Sequence, residues 1–154
     1  MTTINQYTIR LNDITTIDEV DFLWKKLYAH HHFLRHQIHI EPSDSDWVRR
    51  KNKLKDKACD LIVLTVKTEL QLLGYLIASV HRLDPSVGEV ESLYVEEEYR
   101  GEGLGTQLMH EAMSWFNYKN VKVRKLAVGI ENETVVEFYR KQGFIPKSII
   151  LEMG

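Results

Sequence analysis

The chain has 154 residues and a formal net charge of −2, with 44% hydrophobic and 27% charged residues. This length predicts a single domain, residues 1–154, with a core of its own, and the balanced charge gives no bulk attraction to nucleic acid. The chain has one cysteine, no signal-peptide pattern at its N-terminus and no apolar run of membrane-spanning length. These features predict a cytoplasmic protein without a disulfide or a membrane partner.

The first third of the chain predicts one strand and two helices. Tyr7–Leu11 alternates and predicts a first strand, and Thr16 with Glu19 has the spacing of a capping box that opens a helix. Ser45 is predicted to cap a second, strongly basic helix from Asp46 to about Lys57. The apolar stripe of the first helix comprises Val20, Leu23, Trp24, Leu27 and Tyr28.

The middle of the chain predicts three strands. Leu61–Val66 and Leu73–Val80 are apolar runs rich in branched residues, and a turn at 84–86 leads into a central strand that ends near Val95. Strict alternation in that strand predicts two faces. One face carries Val90, Ser92 and Tyr94, and the other carries Glu89, Glu91, Leu93 and Val95.

The last third predicts a long helix, a strand, a shorter helix and a final strand. The long helix opens at Leu104, the strand covers Lys125–Gly129, and Asn132 caps a helix that Gly143 ends in a left-handed conformation. Ile145–Met153 is the predicted final strand. The resulting order, βααβββαβαβ, predicts a mixed α/β sheet with helices on both faces. The long helix should bury Leu104, Leu108, Met109, Ala112, Trp115 and Phe116.

Three glycines lie between the central strand and the long helix, at Gly101, Gly103 and Gly105. The first turn of a helix has unpaired N–H donors and a partial positive charge, and glycines let a phosphate approach the backbone closely. Arg100 adds a cation at the entrance of this loop. The segment therefore predicts a phosphate-binding loop.

Three common phosphate-binding loops do not fit the spacing. A dinucleotide fingerprint requires glycine where Thr106 stands and an acidic residue near Lys125. A Walker loop requires Gly-Lys-Ser/Thr, which is absent, and a kinase loop joins two strands rather than a strand and a helix.

The remaining pattern is Arg-x-x-Gly-x-Gly at Arg100, Gly103 and Gly105, and it resembles the signature of the GNAT superfamily of N-acetyltransferases. A second block, Asn132–Phe144, follows the family order Asn-x-x-Ala-x-x-Phe/Leu-Tyr-x-x-x-Gly-Phe, with Val135 in place of alanine. The resemblance covers about residues 60–146 and implies direct transfer of acetyl from acetyl-coenzyme A to a primary amine.

The resemblance also implies which residues bind the cofactor. Main-chain N–H of Leu93 would stabilise the oxyanion, and Val95 would pair with the pantetheine amides. Asn132 would contact the cofactor arm in addition to capping its helix. The cofactor-binding set is Leu93, Tyr94, Val95, Arg100, Gly101, Glu102, Gly103, Leu104, Gly105, Thr106, Asn132 and Phe138.

Three residues are candidates for the proton transfers. Glu91 and Glu89 lie two apart on the central strand, and either can take the proton of the acceptor amine; we favour Glu91. Tyr139 matches the family tyrosine that protonates the leaving thiolate. Alternative interpretations are solvated strand-edge charges for the glutamates and core packing for the tyrosine.

Other features favour structural explanations. His32 and His36 have the spacing of a helical metal pair, but no third ligand follows at a regular offset, so we predict no metal site. The basic run from Arg49 to Lys57 has no aromatic interleaving and favours a solvated helix face over a nucleic-acid surface. An open sheet edge makes a homodimer plausible. The alternative function is a non-catalytic module that binds an acyl-coenzyme A as a sensor.

Overall fold

The computed structural model describes residues 7–154 of the chain. They form one five-stranded β-sheet with helices on both faces, which confirms the predicted mixed α/β fold class. The strands are β1 Thr8–Asn12, β2 Ala58–Lys67, β3 Leu72–His81, β4 Val87–Val95 and β5 Val123–Leu126. The helices are α1 Asp21–His36, α2 Asp44–Lys57, α3 Leu104–Tyr118 and α4 Glu133–Lys141, with short 3₁₀ segments at Ile14–Val20 and Glu97–Tyr99.

The strands lie side by side in chain order. β1 to β4 are antiparallel neighbours, and β5 is parallel to β4. A parallel pair needs a crossover connection, and α3 supplies it. The N-terminus of α3 therefore follows the carboxyl end of β4, the end at which α/β sheets bind their ligands.

Two apolar cores lie on opposite faces of the sheet. α3 buries the predicted stripe on one face, because its apolar residues recur every three or four positions. On the other face, α1 and α2 cover the sheet through buried tryptophans and leucines. The first core contains Leu104, Leu108, Met109, Ala112, Trp115 and Phe116. The second contains Val20, Leu23, Trp24, Trp47 and Leu54.

The start of the first helical segment differs from the prediction. Thr16 and Glu19 do not form a capping box, because the chain enters a 3₁₀ segment that is capped by Asp13, whose carboxylate accepts a hydrogen bond of 2.9 Å from the Thr15 amide. The α-helix itself begins only at Asp21.

The start of the second helix also differs. The cap is Ser43 rather than Ser45, because only Ser43 lies three residues before Asp46. Its hydroxyl accepts from the Asp46 amide while the Asp46 carboxylate accepts from the Ser43 amide, which forms a reciprocal capping box.

β4 contains a bulge that the sequence pattern did not predict. Val90 lies opposite Ala78 and Ser92 lies opposite Ile77, so Glu91 is an extra residue on the β4 side. An extra residue in one strand bends the strand and moves every later side chain to the opposite face.

The predicted faces of β4 were therefore wrong beyond the bulge. Val90 shares the α3 face with Leu93 and Val95, and Tyr94 packs against the core beneath α1 and α2. Val90 is thus separated from Ser92 and Tyr94, with which strict alternation had grouped it.

The last third of the chain contains less regular secondary structure than predicted. β5 begins and ends before the predicted range, and the predicted final strand at Ile145–Met153 was wrong, because those residues form no strand. Gly143 follows α4 with φ of 97°, as predicted for a left-handed helix end. No helix among residues 7–154 combines the length and the apolar character needed to cross a bilayer.

Candidate active site

The glycine loop presents unpaired backbone amides. Gly101 and Gly103 have φ of 86° and 81°, and a Cβ added at either position would meet no heavy atom within 4 Å. Among residues 7–154, no turn, loop or cap hydrogen bond uses an N–H of residues 101–106 as its donor. The first-turn amides of α3 also have no partner within the helix. The loop is thus an open cradle of backbone donors.

The side chains around the loop hold its geometry. Leu104 is buried in the α3 core, so only its main chain is available to a ligand, while Thr106 is exposed. Gly105 lies against Phe138 of α4, since an added Cβ would come within 3.4 Å of that ring. The Glu102 carboxylate accepts a hydrogen bond of 2.9 Å from the Tyr7 hydroxyl.

Arg100 is fixed at the entrance of the loop. Its Nε donates to the Val95 carbonyl at 2.8 Å, and its guanidinium lies 5.2 Å from the centre of the Tyr94 ring. These two contacts orient the cation beside the cradle, where it favours an anionic ligand.

β4 and β5 separate beside the bulge. Their pairing runs from Val87 opposite Val123 to Val90 opposite Leu126 and stops there. β4 continues to Val95, so its last five residues have no β5 partner. An extended ligand with amide groups can pair with such an edge as a strand would.

Tyr139 of α4 lies on the α3 side of the sheet. Its ring is in edge contact with Phe138 at 5.2 Å and Phe144 at 6.1 Å between centroids, and it packs against the α3 core. Burial raises the pKa of Tyr139 to about 12. No hydrogen bond of its hydroxyl is found within residues 7–154, so the phenol is a free donor that stays protonated at neutral pH.

A second buried phenol lies at the bulge. The Tyr75 hydroxyl is 2.6 Å from the Ser92 hydroxyl, and neither side chain was a predicted site residue. Burial raises the pKa of Tyr75, and the hydrogen bond with Ser92 and the charge of Arg50 offset that rise only in part.

The Glu91 carboxylate is fully occupied by protein groups. Its side chain is 1% exposed, and it accepts a hydrogen bond of 2.5 Å from the Ser79 hydroxyl. Arg50 lies 3.3 Å away and Lys57 lies 3.1 Å away, both on α2. Because three donors surround it, Glu91 has the environment of a structural ion cluster.

The Glu89 carboxylate is more accessible. Its side chain is 13% exposed, with Lys57 at 2.8 Å and His81 at 2.9 Å. Burial alone would raise the pKa of Glu89, but the hydrogen bond and charge of Lys57, followed by His81, lower it below its ordinary value. Glu89 is therefore an ionised carboxylate with some access to solvent.

The cluster also resembles a metal site, but a lysine contacts both of its carboxylates. His81, Glu89 and Glu91 form the one group of three potential metal ligands found within residues 7–154, with ligand atoms within 4.8 Å of one another. Lys57 contacts both carboxylates and supplies the positive charge that a metal would supply.

The predicted histidine pair lies elsewhere, on α1. The rings of His32 and His36 are 4.6 Å apart, and neither belongs to that group of three.

An open cavity of about 470 Å³ lies between α1 and the start of α4. Arg100 and Asn132 line it, and the Asn132 side chain makes no capping hydrogen bond, which leaves its amide available to a ligand. Arg35 of α1 and Glu131 form an ion pair of 3.5 Å that joins the same two elements. The remaining lining residues are His30, Leu34, Ile130, Glu131, Glu133, Thr134 and Val135.

Sequence reasoning missed the partners of the two glutamates. Arg50 and Lys57 were interpreted as a solvated basic face, although Lys57 lies between Glu89 and Glu91. A one-dimensional pattern contains no signal that α2 folds over β4. The only available hint is that α2 is rich in cations and the facing strand carries two acidic residues.

The family model of the acetyltransferase (GNAT) family matches residues 22–144. The chain belongs to the acetyltransferase (GNAT) family. The match spans α2, α3 and α4, α1 from its second residue onward and four of the five strands, and it includes both sequence blocks that suggested the family.

Curated relatives that are named N-acetyltransferases match over part of their length. An uncharacterized N-acetyltransferase of Methanocaldococcus jannaschii is 33% identical over 64 residues, which is 42% of this chain and 28% of the relative. One of Archaeoglobus fulgidus is 43% identical over 56 residues, 36% of this chain and 38% of the relative. The matched stretch thus spans well under half of the length of either relative.

Solved structures share the fold over nearly the whole chain. An aminoglycoside N-acetyltransferase, AAC(6')-Iy in complex with CoA, has a TM-score of 0.74 at 17% identity and covers 100% of this chain and 97% of its own. A tetramutant of a Bacillus halodurans protein has a TM-score of 0.73 at 21% identity, with 96% and 99% covered. At these identities the likeness establishes the fold.

Proposed function

We propose that this GNAT-family chain transfers acetyl from acetyl-coenzyme A to a primary amine in one direct step. The observation that supports it best is the cradle of unpaired amides at 101–106, placed beside the unpaired end of β4. The first feature fits the diphosphate of a coenzyme A, and the second fits its amide-containing arm.

Acetyl-coenzyme A would supply an activated acyl group as a thioester. In the proposed complex, the amides of residues 101–106 and Arg100 bind the diphosphate. The β4 edge from Leu93 to Val95 pairs with the arm, and the Leu93 amide would stabilise negative charge on the acyl oxygen. Tyr94, Asn132 and Phe138 complete the wall of this channel, Tyr94 through its contact with Arg100 and Phe138 through its contact with Gly105.

The acceptor amine has to lose a proton. A free alkylamine with a pKa of about 10.4 is neutral in about one molecule in a thousand near pH 7, which corresponds to about 4 kcal/mol. Both Glu89 and Glu91 remain candidates for the base. The geometry supports Glu89 over Glu91, because Glu89 has the greater exposure and fewer protein donors on its carboxylate.

The departing thiolate has to gain a proton. Tyr139 is the proposed donor, since its hydroxyl has no protein partner within residues 7–154 and its raised pKa keeps it protonated. No serine or cysteine of the described chain is paired with a histidine as an activated nucleophile would be, which supports transfer without an acetyl-enzyme. Cys59 is hydrogen-bonded only to the His81 carbonyl, at 3.6 Å.

The acceptor would approach through the part of the cavity between α1 and α4 that His30, Leu34 and Glu131 line, beside the Arg100 and Asn132 that we assign to the cofactor. Glu131 and Glu133 make this wall acidic, so we propose an acceptor that is polar and amine-bearing. Two of the similar folds are named aminoglycoside acetyltransferases, so aminoglycosides belong in a first acceptor panel. A cytoplasmic location without nucleic-acid binding remains a prediction.

The test is release of free thiol from acetyl-coenzyme A with a panel of amines, together with calorimetry of coenzyme A binding. Acceptor-dependent thiol release and a mass gain of one acetyl group on the acceptor are expected. Binding without turnover across aminoglycosides, polyamines, amino acids and peptides would favour the non-catalytic sensor. Failure to bind coenzyme A would overturn both interpretations.

A further inference from the structure

One residue of β4 lies outside the pairing of the sheet. Glu91 stands between Val90 and Ser92, which both pair with β3, and has no pairing residue of its own there. The pairing of β4 with β5 ends one residue earlier, at Val90. The extra residue of a bulge is left out of the hydrogen-bond ladder, so a shielded carbonyl at that position needs another donor.

A side chain of α2 supplies this donor. Nη2 of Arg50 donates to the Glu91 carbonyl at 3.1 Å and to Oε1 of the Glu91 carboxylate at 3.3 Å. A guanidinium carries several N–H donors in a fixed plane, so it can bind a carbonyl and a carboxylate together. The Arg50 side chain is 28% exposed, whereas that of Glu91 is 1% exposed. The cation therefore covers the bulge and holds both its main chain and its side chain.

The carboxylate has other partners, but the carbonyl depends on Arg50. The Ser79 hydroxyl donates to the Glu91 carboxylate at 2.5 Å, and the Lys57 ammonium lies 3.1 Å from it. Among residues 7–154, Arg50 is the one side chain that donates to the Glu91 carbonyl. Neutralisation of a buried charge thus accounts for only one of the two contacts that Arg50 makes.

The bulge carbonyl is coupled to the Leu93 amide by the covalent structure of the chain. The two groups belong to adjacent peptide units on either side of Ser92, and each unit is planar. Only the two backbone torsions of Ser92 therefore relate their directions. The Ser92 hydroxyl is 2.6 Å from the hydroxyl of Tyr75, which is fully buried and restrains that residue. Fixing the Glu91 carbonyl consequently fixes the direction of the Leu93 N–H.

We propose that Arg50 is a positioning residue for the acetyl transfer, because its hold on the Glu91 carbonyl sets the direction of the Leu93 amide. This inference rests on the proposed function, in which that amide stabilises negative charge on the acyl oxygen. A donor that is already oriented needs no reorganisation during the reaction. At the other end of the unpaired edge, Arg100 holds the Val95 carbonyl at 2.8 Å, so a guanidinium fixes each end.

The first test follows the Leu93 amide by NMR in chains labelled with ¹⁵N-leucine. The chain is saturated with coenzyme A or with acetyl-coenzyme A, which differ only by the acetyl group. A downfield shift of Leu93 between the two states reports a hydrogen bond to the acyl oxygen. We expect this shift in the unmodified chain and loss of most of it in Arg50→Met. A full shift in Arg50→Met overturns the proposal.

The matched control for this change is Arg49→Met. Arg49 is the neighbouring arginine of α2, its side chain is 60% exposed, and its ion pair of 3.3 Å is with Asp46 of the same helix. The acetyl-dependent shift of Leu93 should remain in this variant. Its loss there as well would show that the shift does not depend on the Arg50 contact, which overturns the proposal.

The second test separates the carbonyl contact from charge neutralisation. Glu91→Gln removes the charge of the side chain and keeps the main-chain carbonyl. Arg50→Met should therefore still reduce the Leu93 shift when it is added to Glu91→Gln. No further effect in the double variant would make Arg50 a counter-ion only and overturn the proposal. The double variant leaves no unpaired carboxylate in the core, so it serves even where Arg50→Met alone does not fold.

The third test is kinetic and uses an acceptor that supports thiol release. Arg50→Met should lower kcat by about 10- to 10²-fold, because a misplacement of about 1 Å can cost 10²-fold in rate. KM for acetyl-coenzyme A should stay within about twofold, since the 101–106 amides are untouched. An unchanged kcat per folded molecule overturns the proposal. If the unmodified chain shows neither turnover nor an acetyl-dependent shift, the proposed function itself fails, and this inference fails with it.

Discussion

The Lys57 ammonium lies 2.8 Å from Oε1 of Glu89, where the last residue of α2 meets β4. The same ammonium is 3.1 Å from Glu91. One cation thus links the two carboxylates that are candidates for the base, and it contributes to lowering the pKa of Glu89. The lysine therefore influences the pH at which a catalytic carboxylate would be ready to accept a proton.

Removing this cation should move the acid limb of the pH–rate profile. Because Lys57 lowers the pKa of Glu89, Lys57→Met should raise that pKa, and the carboxylate would then be protonated at a higher pH. The acid limb of kcat/KM is expected to shift upward, measured by thiol release across pH 4–9. Lys53→Met, on an exposed position of α2, is the control and should leave the limb in place.

Loss of Glu89 should mainly lower the reaction rate, whereas loss of Glu91 should mainly lower the stability of the fold. Glu89→Gln should lower kcat/KM by about 10²–10⁴, the usual contribution of a general base, with a smaller loss of stability than the Glu91 change because Glu89 is more exposed. Glu91→Gln should lower the free energy of unfolding by about 1–3 kcal/mol, because it weakens buried hydrogen bonds with Ser79 and the α2 cations. Urea denaturation and thiol release measure the two effects. The reverse pattern would make Glu91 the base.

Sequence patterns predicted those parts of the site that depend on local physics. Glycines at 101 and 103 predicted an open loop, and both have positive φ. The apolar spacing from Leu104 onward predicted the buried face of α3, which fixes the direction of the loop. In each case the residue types alone determine the backbone or the buried face.

Parts that depend on tertiary contacts could not be predicted. An extra residue in β4 cannot be detected by alternation, because Glu91 and Ser92 are both polar and either fits a half-buried position. Lys57 gains its role only when α2 packs over β4. Residues 145–153 show the converse, since their alternation predicted a strand although the described chain gives them no strand partner, and that prediction was wrong.

A negative side chain in the glycine loop should weaken coenzyme A binding. Gly103→Asp places a carboxylate where the cradle is open and requires φ near 81° at a non-glycine residue, which costs about 1–2 kcal/mol. We expect coenzyme A affinity to fall by at least about tenfold, since a charge facing an anion costs on the order of 1.4 kcal/mol or more. Calorimetry measures this loss.

Gly143 provides a control for the backbone strain that Gly103→Asp introduces. This glycine has φ of 97° and also has open space in place of a side chain, but it follows α4 rather than lying in the loop. Gly143→Asp should therefore destabilise the fold by a similar amount and leave coenzyme A affinity unchanged. Equal affinity for Gly103→Asp and the unmodified chain would show that the diphosphate binds elsewhere.

Tyr139→Phe should reduce turnover without reducing cofactor affinity. The change removes one hydroxyl that has no protein partner within residues 7–154 and keeps the ring contacts with Phe138 and Phe144. Loss of a proton donor should lower kcat by about 10²–10⁴. Since the pKa of Tyr139 is raised to about 12, the unmodified enzyme should show no loss of rate from this group up to about pH 10.

The matched control is Tyr118→Phe, which removes an identical hydroxyl from a ring that is 78% exposed near the end of α3. Its kcat should equal that of the unmodified chain. If Tyr139→Phe also retained full kcat while its thermal midpoint stayed constant, the hydroxyl would have no part in the reaction. Tyr139 would then be a packing residue of the α4 face, and the proton for the thiolate would have to come from water or from another phenol near the bulge.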